Sequence, residues 1–252
     1  VKQGREVGSR LNRMVNVISL PDALFCARPL VDQLFADRLL TSIYYGRPGA
    51  KGRTQKAADR EEIAMLVGKL HAKAVELSAE VDGLVPVSKA AEKAKVPGIT
   101  VVHMILGGFL KRVFRLAGQD GVGALRVDPA EVKQHRISCT EGLSPMEAFA
   151  SLKISRNIGW CLVDRCPDEV GLAVNWIIGP DEDHRIPWFD PAVVADFKAR
   201  LTHPVRIAER HGIQIGEVVG RLKRRRVRPE LSESEVGENF YRIRDLKADL
   251  FT

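Results

Sequence analysis

SKAAEKAKVPGITVVHMI, from Ser88 to Ile105, decides how the chain is read, because its pattern returns twice. MEAFASLKISRNIGWCLV (Met146–Val163) and VRIAERHGIQIGEVVGRL (Val205–Leu222) align with it residue for residue. Each segment has an early small or apolar pair: Ala90-Ala91, Ala148-Phe149 and Ile207-Ala208. Each then has one aliphatic residue in a short turn, at Val96, Ile154 and Ile213, spaced 58 and 59 residues apart. Each closes on an apolar pair or triplet. A near-constant period marks an internal repeat. The pattern describes a first helix with small residues where a second helix crosses close to its backbone. A tight turn follows, with one aliphatic side chain plugging the corner. The second helix then leaves at a steep angle with its outer face free to enter a major groove.

The local signals agree. Ser144-Pro145-Met146-Glu147 reads as a capping box with proline at the first helical position. Ser155 is placed to cap the second helix of the middle segment, and Gly212 supplies the turn of the third. A further element follows each pair: RVDPAEV ending at Val132, WFDPAVV ending at Val194 and FYRIRDL ending at Leu246. In the first two, Asp-Pro starts a closing helix. Just upstream, GQDGVGALRV and GPDEDHRIPWF read as small hairpins or wings.

The template extends to the N-terminal region. Leu34–Ile43 resembles Met104–Val113 at an offset of 70, and Asp59–Ile63 resembles Asp128–Val132 at an offset of 69. Asp59 and Glu62 suggest another capping box, and GRPGAKGRTQK a wing. A degenerate fourth unit is expected there, with Pro21 and Pro29 as poor matches in its early helix. The expected architecture is mainly α, a tandem array of winged helix-turn-helix units with short β-hairpin wings. The basic N-terminal region spans 1–80, and the other units span 81–137, 138–201 and 202–252.

The net charge of +7 is concentrated. Residues 1–60 hold eleven Lys/Arg against five Asp/Glu, and residues 203–228 hold eight against two. Basic blocks of this kind suit a polyanion. Arg156 and Asn157, at the start of a second helix beside Ser155, suit bidentate contacts to guanine and adenine edges. Gln214 and Arg221 lead into Lys223, Arg224, Arg225, Arg226 and Arg228, a density that suits phosphates. The first pair offers Thr100 and His103, with Lys111 and Arg112 beyond them; its apolar outer face also suits packing on a neighbour. Trp160, Trp176, Trp188 and Phe189 read as core rather than as stacking platforms for single strands.

Other chemistry finds little support. Cys26, Cys139, Cys161 and Cys166 lack a C-x-x-C pair and read as reduced thiols, with zinc at His135, Cys139, Cys161 and Cys166 a weaker alternative. Phosphate-binding, dinucleotide, zinc-protease and nucleophile-elbow motifs are missing, and Asp181-Glu182-Asp183 reads as a solvated turn. A metal-dependent centre of scattered carboxylates stays open as an alternative. No catalysis and no cofactor are expected. No apolar run suits a membrane span or a signal peptide, so the expected location is cytoplasmic. The chain opens on Val1, which fits a processed product or a piece of a longer protein.

Over Ser88–Val132, Ser144–Val194 and Pro204–Leu246 the segments resemble excisionase and MerR-type helix-turn-helix proteins. The tandem arrangement and the ending FYRIRDL resemble the C-terminal region of TniQ-family proteins. That family's N-terminal domain and zinc-binding cysteine pairs have no counterpart here. The resemblance implies duplex DNA binding in transposition or recombination, with recruitment of other proteins of that machinery. A transcription or plasmid-replication regulator and a protein-interaction scaffold remain the alternatives.

Overall fold

The structure is a computed structural model that describes residues 13–45, 55–139, 141–165, 170–246 and 250–251. Among the described residues about half are helical, in twelve α-helices and short 3-10 turns accompanied by small sheets, so the fold is mixed α/β rather than mainly α. It divides into two compact units. The first holds residues 1–140 with 176–186, and the second holds 141–175 with 187–252.

The first unit contains one motif twice. β1 (Met14–Asn16), α1 (Leu20–Leu24), α2 (Arg28–Ala36), β2 (Ile43–Tyr45), β3 (Gln55–Asp59) and α3 (Arg60–Ala72) come first. They form an antiparallel sheet of order β1-β3-β2, with Met14 opposite Asp59 and Ile43 opposite Ala57. After β4 (Val75–Leu77) come β5 (Val85–Pro86), α4 (Val87–Ala94), α5 (Gly98–Leu106), β6 (Val113–Leu116), β7 (Leu125–Val127) and α6 (Pro129–His135). Their sheet has the order β4-β6-β7-β5, with β4 parallel to β6 and the other pairs antiparallel. In both copies the strand before the helix pair lies beside the last strand of the hairpin after it. Pro21 and Pro29 fit because both stand in a helical first turn, where a missing N–H leaves no hydrogen bond unmade. Of the expected wing GRPGAKGRTQK, residues 46–54 lie outside the described residues, and Gln55 and Lys56 begin β3.

The second unit repeats the motif with shorter strands. α7 (Pro145–Leu152), α8 (Arg156–Arg165) and α9 (Pro191–Arg200) are followed by β10 (Leu201–Thr202), α10 (Pro204–His211), α11 (Ile215–Arg224), α12 (Glu233–Val236) and β11 (Tyr241–Arg242). Leu143, ahead of α7, exchanges two 2.8 Å backbone hydrogen bonds with Phe189. β10, ahead of α10, pairs antiparallel with β11. The hairpin of β8 (Asn175–Ile178) and β9 (Arg185–Trp188) contributes residues 176–186 to the first unit. FYRIRDL is not a closing helix: it enters β11 and then a 3-10 turn at Ile243–Asp245, having no Asp-Pro to start one.

One corner recurs in all four helix pairs. Phe25, Lys95, Lys153 and Gly212 end the first helix in the left-handed region, at φ of 49°, 56°, 59° and 65°. The next N–H then reaches back five residues. Cys26 donates to the Pro21 carbonyl at 2.9 Å, Val96 to Ala91 at 3.0 Å, and Ile154 to Phe149 and Ile213 to Ala208 at 3.1 Å each. This satisfies carbonyls that a helix end leaves open. The caps recur too. The carboxylates of Asp59, Asp128 and Asp190 accept from the N–H groups of Glu61, Ala130 and Ala192 at 2.8, 2.8 and 2.7 Å. Ser144 and Glu147 form their capping box. Glu62 does not join one with Asp59; it accepts from the backbone and hydroxyl of Thr41.

The cores differ in kind. In the first unit every residue from Ile99 to Leu106 is buried, with Val31, Leu34 and Phe35 of α2 in the same cluster. In the second, Phe149 meets the rings of Trp160 and Phe189 edge-on at 5.6 and 5.4 Å. A smaller cluster joins Ile207, Val218, Leu222, Tyr241 and Phe251. Trp176 departs from the core expectation, being 44% exposed.

Candidate nucleic-acid interface

A helix pair can read a groove only if its second helix presents a polar face to solvent. α5 does not. Its apolar residues leave no polar stripe, and a helix apolar all round is buried all round. Thr100 and His103 are 7% and 2% exposed, which removes both from the expected contact set. α5 packs on α2 instead. The Ile99 N–H donates to Gln33 Oε1 at 3.1 Å, and Gly98 leaves room for Leu30. The second helices of both repeats in the first unit are therefore spent on its core. Lys111 and Arg112 are exposed beyond α5, but Arg112 is paired with Asp128 at 2.9 Å.

α8 and α11 have open faces. α8 begins with exposed Ser155, half-buried Arg156 and exposed Asn157. The Ile158 N–H points at Ser155 Oγ at 3.4 Å, a long capping contact. Gly159 lets the helix sit close to Phe149. In α11, Val218 and Leu222 face inward, while Gln214, Lys223 and Arg224 are exposed. Arg225 caps the helix, Arg226 turns left-handed at φ 54°, and the exposed basic run goes on to Arg228. Cations at a helix C-terminus are favoured by its unpaired carbonyls, so this end of α11 carries charge without straining the fold. Arg221 is differently engaged. It donates to Glu217 Oε1 at 2.7 Å and to the Leu250 carbonyl at 3.3 Å, so it serves the local structure. Gly216 and Gly220 have open space where a Cβ would stand, leaving α11 backbone near its surface.

Three histidines do work that the sequence pattern did not reveal. In the first unit His103 Nε2 lies 3.0 Å from the Asp37 carboxylate, and its Nδ1 lies 2.8 Å from His184 Nε2. The pattern is satisfied if His103 donates to Asp37 and accepts from His184. Desolvation, then the neighbouring His103 and lysines 69 and 73 against the opposing pull of Asp183, holds the His184 pKa down to about 4. Lys73 pairs with Asp181 and Asp183 beside it, so this acidic turn is not merely solvated. In the second unit buried His203 bridges Glu238 at 2.9 Å and the Leu152 carbonyl at 3.0 Å.

Burial pushes the thiols of Cys26 and Cys139 up to about 11 and 12, the opposite of what a nucleophile needs. Cys166 of the considered zinc set lies outside the described residues, and no cluster of three or more metal-ligating side chains occurs among the described ones. No helix among the described residues is long and apolar enough to cross a membrane. No family model, curated protein or solved structure matches the chain.

Proposed function

We propose that the chain is a non-catalytic protein that binds double-stranded DNA through its second unit. The repeated strand–helix–turn–helix–hairpin motif is read as a winged helix-turn-helix. The observation that carries the proposal is α11, a second helix whose outer face is open and whose end bears Lys223, Arg224, Arg225, Arg226 and Arg228. These cations contact phosphates, while Gln214 and the α8 residues Ser155, Arg156 and Asn157 face base edges. The first unit holds its second helices in its core and contributes structure rather than reading. Lys111 and Arg112 are accordingly left out of the main contact set.

The resemblance to excisionase-type repeats and to the TniQ C-terminal region supports a narrower role. In it the protein marks or selects a site for transposition or recombination and recruits other proteins of that machinery. Selection of duplexes from a random-sequence library by the full chain tests the proposal. An enriched motif spanning about one or two major-groove faces is expected. Loss of enrichment at part of that motif in Asn157→Ala would tie α8 to base reading. An unselected pool would remove sequence-specific reading, and no retained duplex at low salt would remove DNA binding altogether.

A further inference from the structure

The second unit contains a pocket of about 640 Å3 among α9, β10, α10 and the 3-10 turn at Ile243–Asp245. Among the described residues its charge is one-sided. Lys153 at its edge is neutralised by an ion pair with Glu209. Lys198, Arg206 and Arg210 remain, and among the described residues no carboxylate besides Glu209 lines the pocket. Arg206 is fixed in place: its guanidinium donates to the Leu201 carbonyl at 3.0 Å and to the Lys198 carbonyl at 3.1 Å. It lies one helical turn from Arg210 on α10, an i,i+4 pair of like charges that disfavours the helix. Desolvation, then the Arg210 charge, against the opposing pull of Glu209, holds the Arg206 pKa below the usual guanidinium range. Apolar side chains share the lining. They include Ile207, Ile243 and Phe251, and the His211 ring lies against Phe251 with centroids 4.8 Å apart.

A polynucleotide phosphate would use the cations and leave the apolar side chains idle. A simple inorganic anion would do the same. A molecule with an anionic head and an apolar body uses both, and the volume is that of a small-molecule site. We propose that this pocket binds a small organic anion, a phosphate or carboxylate on an aromatic or aliphatic body. Lys198 and Arg210 pair with the head, Arg206 adds fixed positive field, and Ile207, Ile243 and Phe251 cover the body. The proposal stands apart from DNA binding, since it uses none of the residues assigned to the duplex.

The test is calorimetric titration of the full chain with 1-naphthyl phosphate, with 1-naphthol and inorganic phosphate as the two halves of the probe. One saturable site for 1-naphthyl phosphate is expected, with each half at least roughly tenfold weaker. Lys198→Gln and Arg210→Gln should each weaken binding roughly three- to tenfold, as partly solvated ion pairs do. Both side chains project from exposed positions, and an unchanged unfolding curve shows that each variant is folded. No binding at millimolar probe, equal binding of 1-naphthol and 1-naphthyl phosphate, or indifference to both substitutions would overturn the proposal. So would a duplex that displaces the probe and is itself weakened by Lys198→Gln, because the cations would then belong to nucleic acid.

Discussion

Glycine-to-alanine substitution should have opposite signs in the two open second helices. In a helix interior the exchange gains about 1 kcal/mol, because glycine loses more backbone entropy on folding. At Gly159 of α8 that gain meets a wall. A Cβ there would stand 2.3, 2.4 and 2.6 Å from three carbons of the Phe149 ring. The ring cannot move aside easily: it is 1% exposed and braced edge-on by Trp160 and Phe189. Overpacking of a close-packed core costs about 1–3 kcal/mol and more where rigid groups collide. With the clash at the upper end of that range and the helix gain subtracted, Gly159→Ala should therefore lose roughly 1–2 kcal/mol net. Gly216 and Gly220 of α11 meet nothing within 4 Å, so alanine at either should gain roughly 0.5–1 kcal/mol. Urea unfolding, followed by tryptophan fluorescence and far-ultraviolet circular dichroism, measures all three. A stabilised Gly159→Ala, or a destabilised Gly216→Ala, would refute the packing described for these helices.

Three other outcomes follow from the geometry. His184 resists protonation in the folded state, so its contribution is complete above about pH 6.5 and is lost as pH falls towards 4. After allowance for solvent screening the loss is about 1–2 kcal/mol. Urea unfolding across that range should show it in the wild type and not in His184→Gln; parallel curves would sink the assignment. Lys95→Gly should raise stability by roughly 0.5–1 kcal/mol, since glycine adopts φ 56° without a Cβ clash, and an unfolding midpoint that falls would contradict the corner geometry. His203→Ala removes the partner of the half-buried Glu238 carboxylate and of the buried Leu152 carbonyl. A loss of about 2–4 kcal/mol is expected, and an unchanged midpoint in the same assay would show that the bridge contributes nothing.

The features closest to covalent geometry were the most legible in the sequence. The aliphatic plugs at Val96, Ile154 and Ile213 mark the corners because the left-handed residue before each fixes the next N–H. Asp128 and Asp190 mark helix starts because a carboxylate followed by proline leaves little else for that backbone to do. The apolar run GITVVHMIL left packing of α5 on a neighbour open beside a contact role for Thr100 and His103, and the burial of both decides for packing. Long-range partners were not legible. Nothing local to Glu62 announces Thr41, and nothing near His103 announces Asp37 or His184, separated from it by 66 and 81 residues. The cationic pocket had one local trace, the Arg206 and Arg210 pair one turn apart on α10. The charged run after Arg221 overshadowed it.

The most direct test of duplex binding through the second unit is the salt dependence of affinity for the full chain, read by fluorescence anisotropy. Three proteins suffice: wild type, the double variant Lys223→Ala with Arg224→Ala, and the first-unit control Lys111→Ala. Duplex binding through the second unit gives a steep linear fall of log affinity with log salt, a slope reduced by about 2 in the double variant, and a slope unchanged in the control. No duplex binding at low salt, or equal losses in the double variant and the control, would contradict it.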